Sequence, residues 1–226
     1  MKTVGIIGRA YRNLKEQPIV QTSEIVRRAL SYYDNVVPIT LLPTGNELYC
    51  DIPKNGDKFT DIDKKKINHI IKQCDGFIAP GGRSWFNFDN YIIQHAIKED
   101  KPLLAICAGF QCLCSLYSDL KRPKLTAIEG GSHHSYGKDY CHTNYIFKGT
   151  KLHKIIKSDQ IFVNSVHYYK VNFPMHDLVI NAHSIDNIIE GVELPNKKFI
   201  IGVQWHPEFF RDDPSTRLFD AFVKSL

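Results

Sequence analysis

The feature that most restricts the fold is the alternation, across residues 1–116, of short apolar runs with segments of helical period. Val4, Gly5, Ile6, Ile7 and Gly8 form one run, and residues 36–42, 76–79 and 102–106 form three more, each bounded by Gly, Pro or charge. Between them, residues 23–33 carry Ile25, Val26, Ala29 and Leu30 at helical spacing behind Ser23 as a cap. Residues 61–74 place Ile67, Ile70, Ile71 and Cys74 on one stripe, and residues 87–98 repeat the amphipathic pattern. Strands that are apolar on both faces need helices on both sides of their sheet. The pattern therefore predicts an α/β fold, a three-layer sandwich with a central, mostly parallel sheet.

From Gly130 onward the texture becomes β-rich, with residues 142–147, 161–166, 178–183, 188–194 and 199–203 reading as strands and only residues 215–223 as helix. No repeat or linker separates the two textures, so this C-terminal half is expected to pack onto the same sheet. At 226 residues the chain has the length of one such unit, and residues 1–226 are read as a single domain. Residues 46–56 read as a polar surface excursion. Residues 130–140, with His133 and His134, read as a solvated loop or a lid, and the roles of both loops stay open.

Charge and cysteine usage narrow the function classes. The 29 basic against 24 acidic residues leave +5, but the densest basic run is only Lys64-Lys65-Lys66, too scattered for a nucleic-acid footprint. No window approaches the ~18 apolar residues of a membrane span, and residues 1–8 read as a first strand, not a signal peptide. The six cysteines (Cys50, Cys74, Cys107, Cys112, Cys114, Cys141) are then expected as free thiols in a reducing, cytoplasmic setting. They make no Cys-x-x-Cys pair, and His133, His134 and His142 lack partners at zinc spacing, so neither a metal nor a cofactor is expected.

One of those thiols stands apart. Cys107 closes an apolar strand and opens a helix in Leu104-Ala105-Ile106-Cys107-Ala108-Gly109-Phe110-Gln111. A sharp strand-to-helix turn lifts a side chain out of the sheet while the helix aims its N–H groups at it. Taken alone, a cysteine at a strand end is more often a small buried hydrophobe. Two further elements change the reading. In Gly202-Val203-Gln204-Trp205-His206-Pro207-Glu208 another strand ends with a His and a Glu two residues apart, so Glu208 can orient His206 toward a nucleophile. Pro80-Gly81-Gly82 follows a third strand end, and the amide of Gly82 can meet that of Ala108 on one oxygen as an oxyanion hole. Trp85, Phe86 and Phe88, which follow, read as core residues ahead of a helix.

These elements in this order resemble the class I glutamine amidotransferase superfamily, with its Gly-x-Cys-x-Gly-x-Gln elbow and late His-Pro-Glu. The elbow matches at Cys107, Gly109 and Gln111 and departs at Ala105, where the superfamily carries Gly. Val163-Asn164-Ser165-Val166-His167, Ala182-His183-Ser184 and residues 189–193 are similar to segments of the gamma-glutamyl-gamma-aminobutyrate hydrolase branch. The resemblance runs from Ile78 to Glu208 and implies a flavodoxin-like sandwich with a Cys107-His206-Glu208 triad. It also implies a small-molecule gamma-glutamyl substrate whose glutamyl half is met by Gly81, Gln111, Ser165 and His167. Water would hydrolyse the thioester formed on Cys107.

Three functions fit these residues. The first is a free-standing hydrolase of gamma-glutamyl amides, and the second a glutaminase subunit that passes ammonia to a separate synthase. The third is a non-catalytic relative, against which the intact Cys107, His206 and Glu208 argue. The leaving amine, a synthase partner and a homo-oligomer are all left open.

Overall fold

In the strands at the centre of the molecule every residue is buried, because helices cover both faces of the sheet that they form. The computed structural model describes residues 1–44, 59–118, 120, 124–128, 137–173 and 175–226. The loop at 46–56, Cys50, His133 and His134 lie outside the described residues, as does most of the stretch at 130–140.

The chain opens with β1 (Lys2–Ile7), then β2 (Arg9–Arg12) and β3 (Pro18–Gln21), which pair as an antiparallel hairpin. It continues through α1 (Glu24–Leu30), β4 (Val36–Leu41), α2 (Asp61–Ile71), β5 (Gly76–Ala79), α3 (Asn87–Lys98), β6 (Leu103–Ile106) and α4 (Ala108–Leu116). The second half comprises β7 (Thr126–Ala127), β8 (Gly137–Ile146), α5 (Lys151–Ile156), β9 (Gln160–Ser165), β10 (Tyr169–Lys170), β11 (Val179–Ser184), β12 (Ile189–Glu193), β13 (Ile200–Val203) and α6 (Asp213–Ser225).

Nine strands form one sheet in the order β4-β1-β5-β6-β13-β12-β11-β8-β9. The first five run parallel, in the flavodoxin-like order, and the other four extend the sheet by antiparallel pairing. The fold class read from the sequence is thus the observed one.

Side chains alternate between two cores along each parallel strand. Phe77 and Ala79 of β5, and Leu103 and Ala105 of β6, meet Ile67, Ile71, Phe88, Ile92 and Leu113 from α2, α3 and α4. Ile78, Leu104 and Ile106 meet Val26, Leu30, Leu152, Leu218 and Phe222 from α1, α5 and α6. Trp85, Phe86 and Phe88 belong to the first core, as their sequence context indicated.

Helix starts obey local rules. The Ser23 hydroxyl accepts the Val26 N–H, and Thr60 and Asp63 make a reciprocal capping box on α2. The reading that only residues 215–223 return to helix is corrected by α5, capped by Thr150. Leu152 and Ile156, four residues apart, give it one buried stripe, too short a signal to stand out between strands. The hairpin of β2 and β3 also goes beyond what the sequence suggested, since its alternation lasts only four residues per strand.

Candidate active site

Cys107 joins β6 to α4 with φ 51° and ψ −107°, a conformation that L residues rarely adopt and that costs about 1–3 kcal/mol. Hydrogen bonds on both sides hold it there. Its N–H donates to the Val203 carbonyl at 2.8 Å, and its own carbonyl accepts the Gln111 N–H at 2.9 Å. The strained turn brings the thiol to the carboxyl end of the sheet, and the N–H of Ala108, first in the helix, has no helical partner to meet. Gly109 lets α4 approach so closely: a Cβ there would stand 2.1 Å from the Ala79 carbonyl oxygen. The small residues Ala79, Ala105 and Gly202 sit in register beneath it, so the methyl of Ala105, where the superfamily elbow has Gly, is accommodated.

His206 follows β13, and its Nδ1 lies 2.8 Å from Glu208 Oε1 across a short 3-10 turn, Pro207–Phe209. That leaves Nε2 on the side of the ring away from Glu208, and Cys107 lies close enough for its charge to act on the ring. Burial disfavours the imidazolium, but the charge of Glu208 and that of Cys107 outweigh burial and hold His206 well above its ordinary value of 6.5. Gly81 sits against both partners. A Cβ on it would stand 2.6 Å from His206 Cε1 and 3.4 Å from the Cys107 Cβ, so a side chain there would displace the ring.

The other sequence-designated residues gather around the β9–β10 connection. Gln111 donates to Gln204 Oε1 at 3.0 Å and to the Tyr169 carbonyl at 3.4 Å. His167 shares that carbonyl through Nδ1 at 3.0 Å, and its Nε2 lies 3.3 Å from Glu190 Oε1. Ser165 ends β9, wholly buried. The Val166 carbonyl oxygen lies 4.0 Å from Cys107 Sγ, which ties this segment to that thiol. Cys107, His206, Glu208 and Gly81 therefore converge from the ends of β5, β6 and β13, with Ala108 and Gly82 next to Cys107 and Gly81 in the chain and Gln111, Ser165 and His167 around the neighbouring connection.

Two residues do more than the sequence reading assigned to them. Asn164, with no exposed surface, donates Nδ2 to the His206 carbonyl at 3.0 Å and accepts the His206 N–H on Oδ1 at 2.9 Å. Its signal was a polar residue inside an apolar strand. Arg9 is the other, a charge placed directly after an apolar strand and buried at 8% exposure.

Among the described residues no group of His, Cys, Asp and Glu is arranged to hold a metal ion, and Cys74, Cys107, Cys112, Cys114 and Cys141 are free thiols. No helix among them is long and apolar enough to cross a membrane.

Comparison with known proteins adds a family to this geometry. Residues 83–208 match the family model described as Peptidase C26. The glutamine amidotransferase-like protein RP404 of Rickettsia prowazekii is 27% identical over 70% of this chain and 79% of its own length. A CTP synthase of Lactobacillus johnsonii is 28% identical over 94% of this chain, yet the chain spans only 45% of that enzyme. In fold, the glutaminase domain of Trypanosoma brucei CTPS with bound acivicin superposes with a TM-score of 0.71, covering 99% of this chain and 94% of that one at 17% identity.

Proposed function

The chain belongs to the Peptidase C26 family, and on that premise we propose that it is a cysteine-dependent hydrolase that cleaves the gamma-glutamyl amide bond of small gamma-glutamyl compounds. The gamma-glutamyl-gamma-aminobutyrate hydrolase branch is the assignment within the superfamily, and residues 1–226 act as one cytoplasmic domain. One observation carries the reading: a strained Cys107 that shares Gly81 as a neighbour with a His206 whose Nδ1 is held by Glu208.

In the proposed reaction His206 Nε2 takes the Cys107 proton, and the thiolate attacks the side-chain amide carbon. As the C–S bond forms, the carbonyl oxygen gains charge and is met by the N–H groups of Gly82 and Ala108. Neither amide spends its hydrogen on a backbone partner among the described residues, and two such donors are worth about 3–4 kcal/mol each. The intermediate collapses by breaking the C–N bond while His206 returns its proton to the departing amine. A water molecule, deprotonated by His206, then attacks the thioester, releasing glutamate and restoring the thiol. Glu208 keeps the imidazole in the tautomer that both halves require. Gly81, Gln111, Ser165 and His167 line the pocket for the glutamyl half.

The test is release of amine or ammonia from gamma-glutamyl-aminobutyrate, other gamma-glutamyl amines, gamma-glutamyl peptides and glutamine, with Cys107→Ala as control. Turnover that vanishes in the control supports a hydrolase and identifies its leaving group; turnover that survives there refutes the assignment of the nucleophile.

A second reading rests on the CTP synthase match, which spans nearly all of this chain and less than half of that enzyme. In it the chain is a glutaminase that hands ammonia to a separate synthase subunit. Such a subunit is slow until its partner docks. Rapid hydrolysis of gamma-glutamyl amines by the chain alone decides against it.

A further inference from the structure

The connection from β5 to α3 holds the Gly81–Gly82 turn, and ahead of the buried Trp85 and Phe86 it has little of its own to keep it in place. Residues 80–85 make no backbone–backbone hydrogen bond among the described residues. On its outer side lies a cleft of about 730 Å³ between the turn and the hairpin of β2 and β3, so nothing among the described residues fills that side. Two adjacent glycines with no side chains can turn their shared peptide at small cost. A flip of the Gly81–Gly82 peptide would present a carbonyl oxygen where the proposed hole needs an N–H.

What spans this connection is an ion pair from elsewhere in the chain. Arg9 Nη2 donates to the Pro80 carbonyl at 2.6 Å, and Nη1 pairs with Asp89 on α3. Asp89 Oδ2 in turn accepts the Phe86 N–H at 2.9 Å. One guanidinium and one carboxylate thus hold both ends of residues 80–86. The stem of Arg9 also runs beneath the turn, since a Cβ on Gly82 would stand 3.3 Å from Arg9 Cδ. The pair sits between β1 and β5, where connections depart to opposite faces of the sheet and leave a crevice.

Stability does not account for the pair. Asp89 has no exposed surface, and burial brings Arg9 down to about 10, though it stays charged at neutral pH. Burying two such charges gives no more stability than apolar side chains of the same shape. Its geometric effect is more specific: fixing the Pro80 carbonyl fixes the Pro80–Gly81 peptide plane and limits the next.

We propose that Arg9, acting with Asp89, is a positioning residue that clamps the Pro80–Gly81 peptide so that the Gly82 N–H stays aimed at the substrate oxygen. It touches no substrate. The inference rests on the reading that Cys107 performs acyl transfer, and the test separates the two. Alkylation of Cys107 by iodoacetamide needs the Cys107–His206 pair but forms no oxyanion, so it reports the nucleophile without the hole.

The variant to make is Arg9→Met with Asp89→Leu, which removes both charges together and avoids leaving one buried alone. A second, Arg9→Met with Asp89→Asn, also loses the clamp on Pro80 but keeps an acceptor for the Phe86 N–H and so serves where the first does not fold. The expected result is a folded protein alkylated at the wild-type rate, with kcat down about 10–100-fold and KM unchanged, less than the loss of a whole oxyanion donor. Wild-type kcat in either folded variant overturns the proposal. So does a fall in alkylation that parallels kcat, because Arg9 would then act on the nucleophile. Activity that survives Cys107→Ala instead defeats the catalytic reading itself.

Discussion

The five parallel strands and the four antiparallel ones are built on opposite principles. In β5, β6 and β13 every residue is buried, and all but Gly76 and Gly202 carry apolar side chains. Polar groups appear only past their carboxyl ends, where Gly81, Cys107 and His206 stand. The antiparallel strands carry Asn144, Asn164, Asn181, Glu190 and Glu193 within their length, all at most 3% exposed. Buried polar groups need partners, and two of these find them in the backbone of other elements. Asn164 clasps His206, and Glu193 accepts the N–H groups of Lys151 and Leu152 at 2.7 and 3.0 Å, at the start of α5. One region delivers the candidate reacting groups from strand ends; the other holds them in place from the side.

If the parallel strands alone supply the chemistry, the largest effect comes from their nucleophile. Cys107→Ala is expected to lower kcat at least about 10⁴-fold while the melting temperature stays about the same, since alanine keeps the backbone of the turn and gives up little packing. Steady-state kinetics beside a thermal melt check this. A residual rate above about one hundredth of wild type would move the nucleophile elsewhere.

Next in size is Gly109→Ala, which tests whether the elbow depends on close approach. The added methyl would meet backbone, not a flexible side chain, at 2.1 Å from the Ala79 oxygen. Overpacking of this kind costs about 1–3 kcal/mol or more, and α4 must withdraw from β5. Urea denaturation should show the loss, and kcat should fall with it because Ala108 moves away from Gly82. A variant as stable and active as wild type would show that the helix start tolerates displacement.

The third prediction compares two polar side chains of the antiparallel region. Asn164→Ala leaves the His206 backbone N–H and carbonyl unpartnered in a buried place, costing about 1–3 kcal/mol of stability, and lets the imidazole drift. A misplacement of about 1 Å can cost 10²-fold in rate, so kcat should drop about 10–100-fold. Glu193→Gln should cost stability of similar size by weakening the anion at the start of α5, with kcat unchanged in the folded fraction. Equal kinetic effects in both would erase the distinction between holding the site and holding the fold.

That contrast also explains what could be read in advance. The sandwich, the elbow at Cys107 and the His206-Glu208 pair were legible because each is a local pattern: an apolar run, a glycine or proline turn, then a functional side chain. Asn164 and Arg9 were not. Their partners lie 42 and 71 residues away, at His206 and Pro80, and a side chain bonded to distant backbone leaves no period or spacing behind. α5 was missed for a different reason, since six residues show barely more than one helical turn.

The smallest effect concerns pH and asks whether the imidazolium charge of His206 is held by Glu208. His206 sits well above 6.5 in the folded protein: burial acts downward, and the charges of Glu208 and Cys107 act upward and prevail. A group raised on folding binds its proton more tightly in the native state, so stability falls as pH rises. The contribution is fully present below the unfolded value of 6.5 and disappears as pH climbs through the raised folded value. Glu208→Gln removes the leading upward influence, so the folded imidazole should titrate lower and the window should shrink. Melting temperatures from about pH 6 to about pH 9 would then decline less steeply in the variant than in wild type, groups common to both cancelling in the difference. Parallel curves would mean that Cys107 alone sustains the imidazolium and that Glu208 serves only to orient the ring. In that case kcat in Glu208→Gln should still fall, because an amide in place of the carboxylate no longer fixes the tautomer.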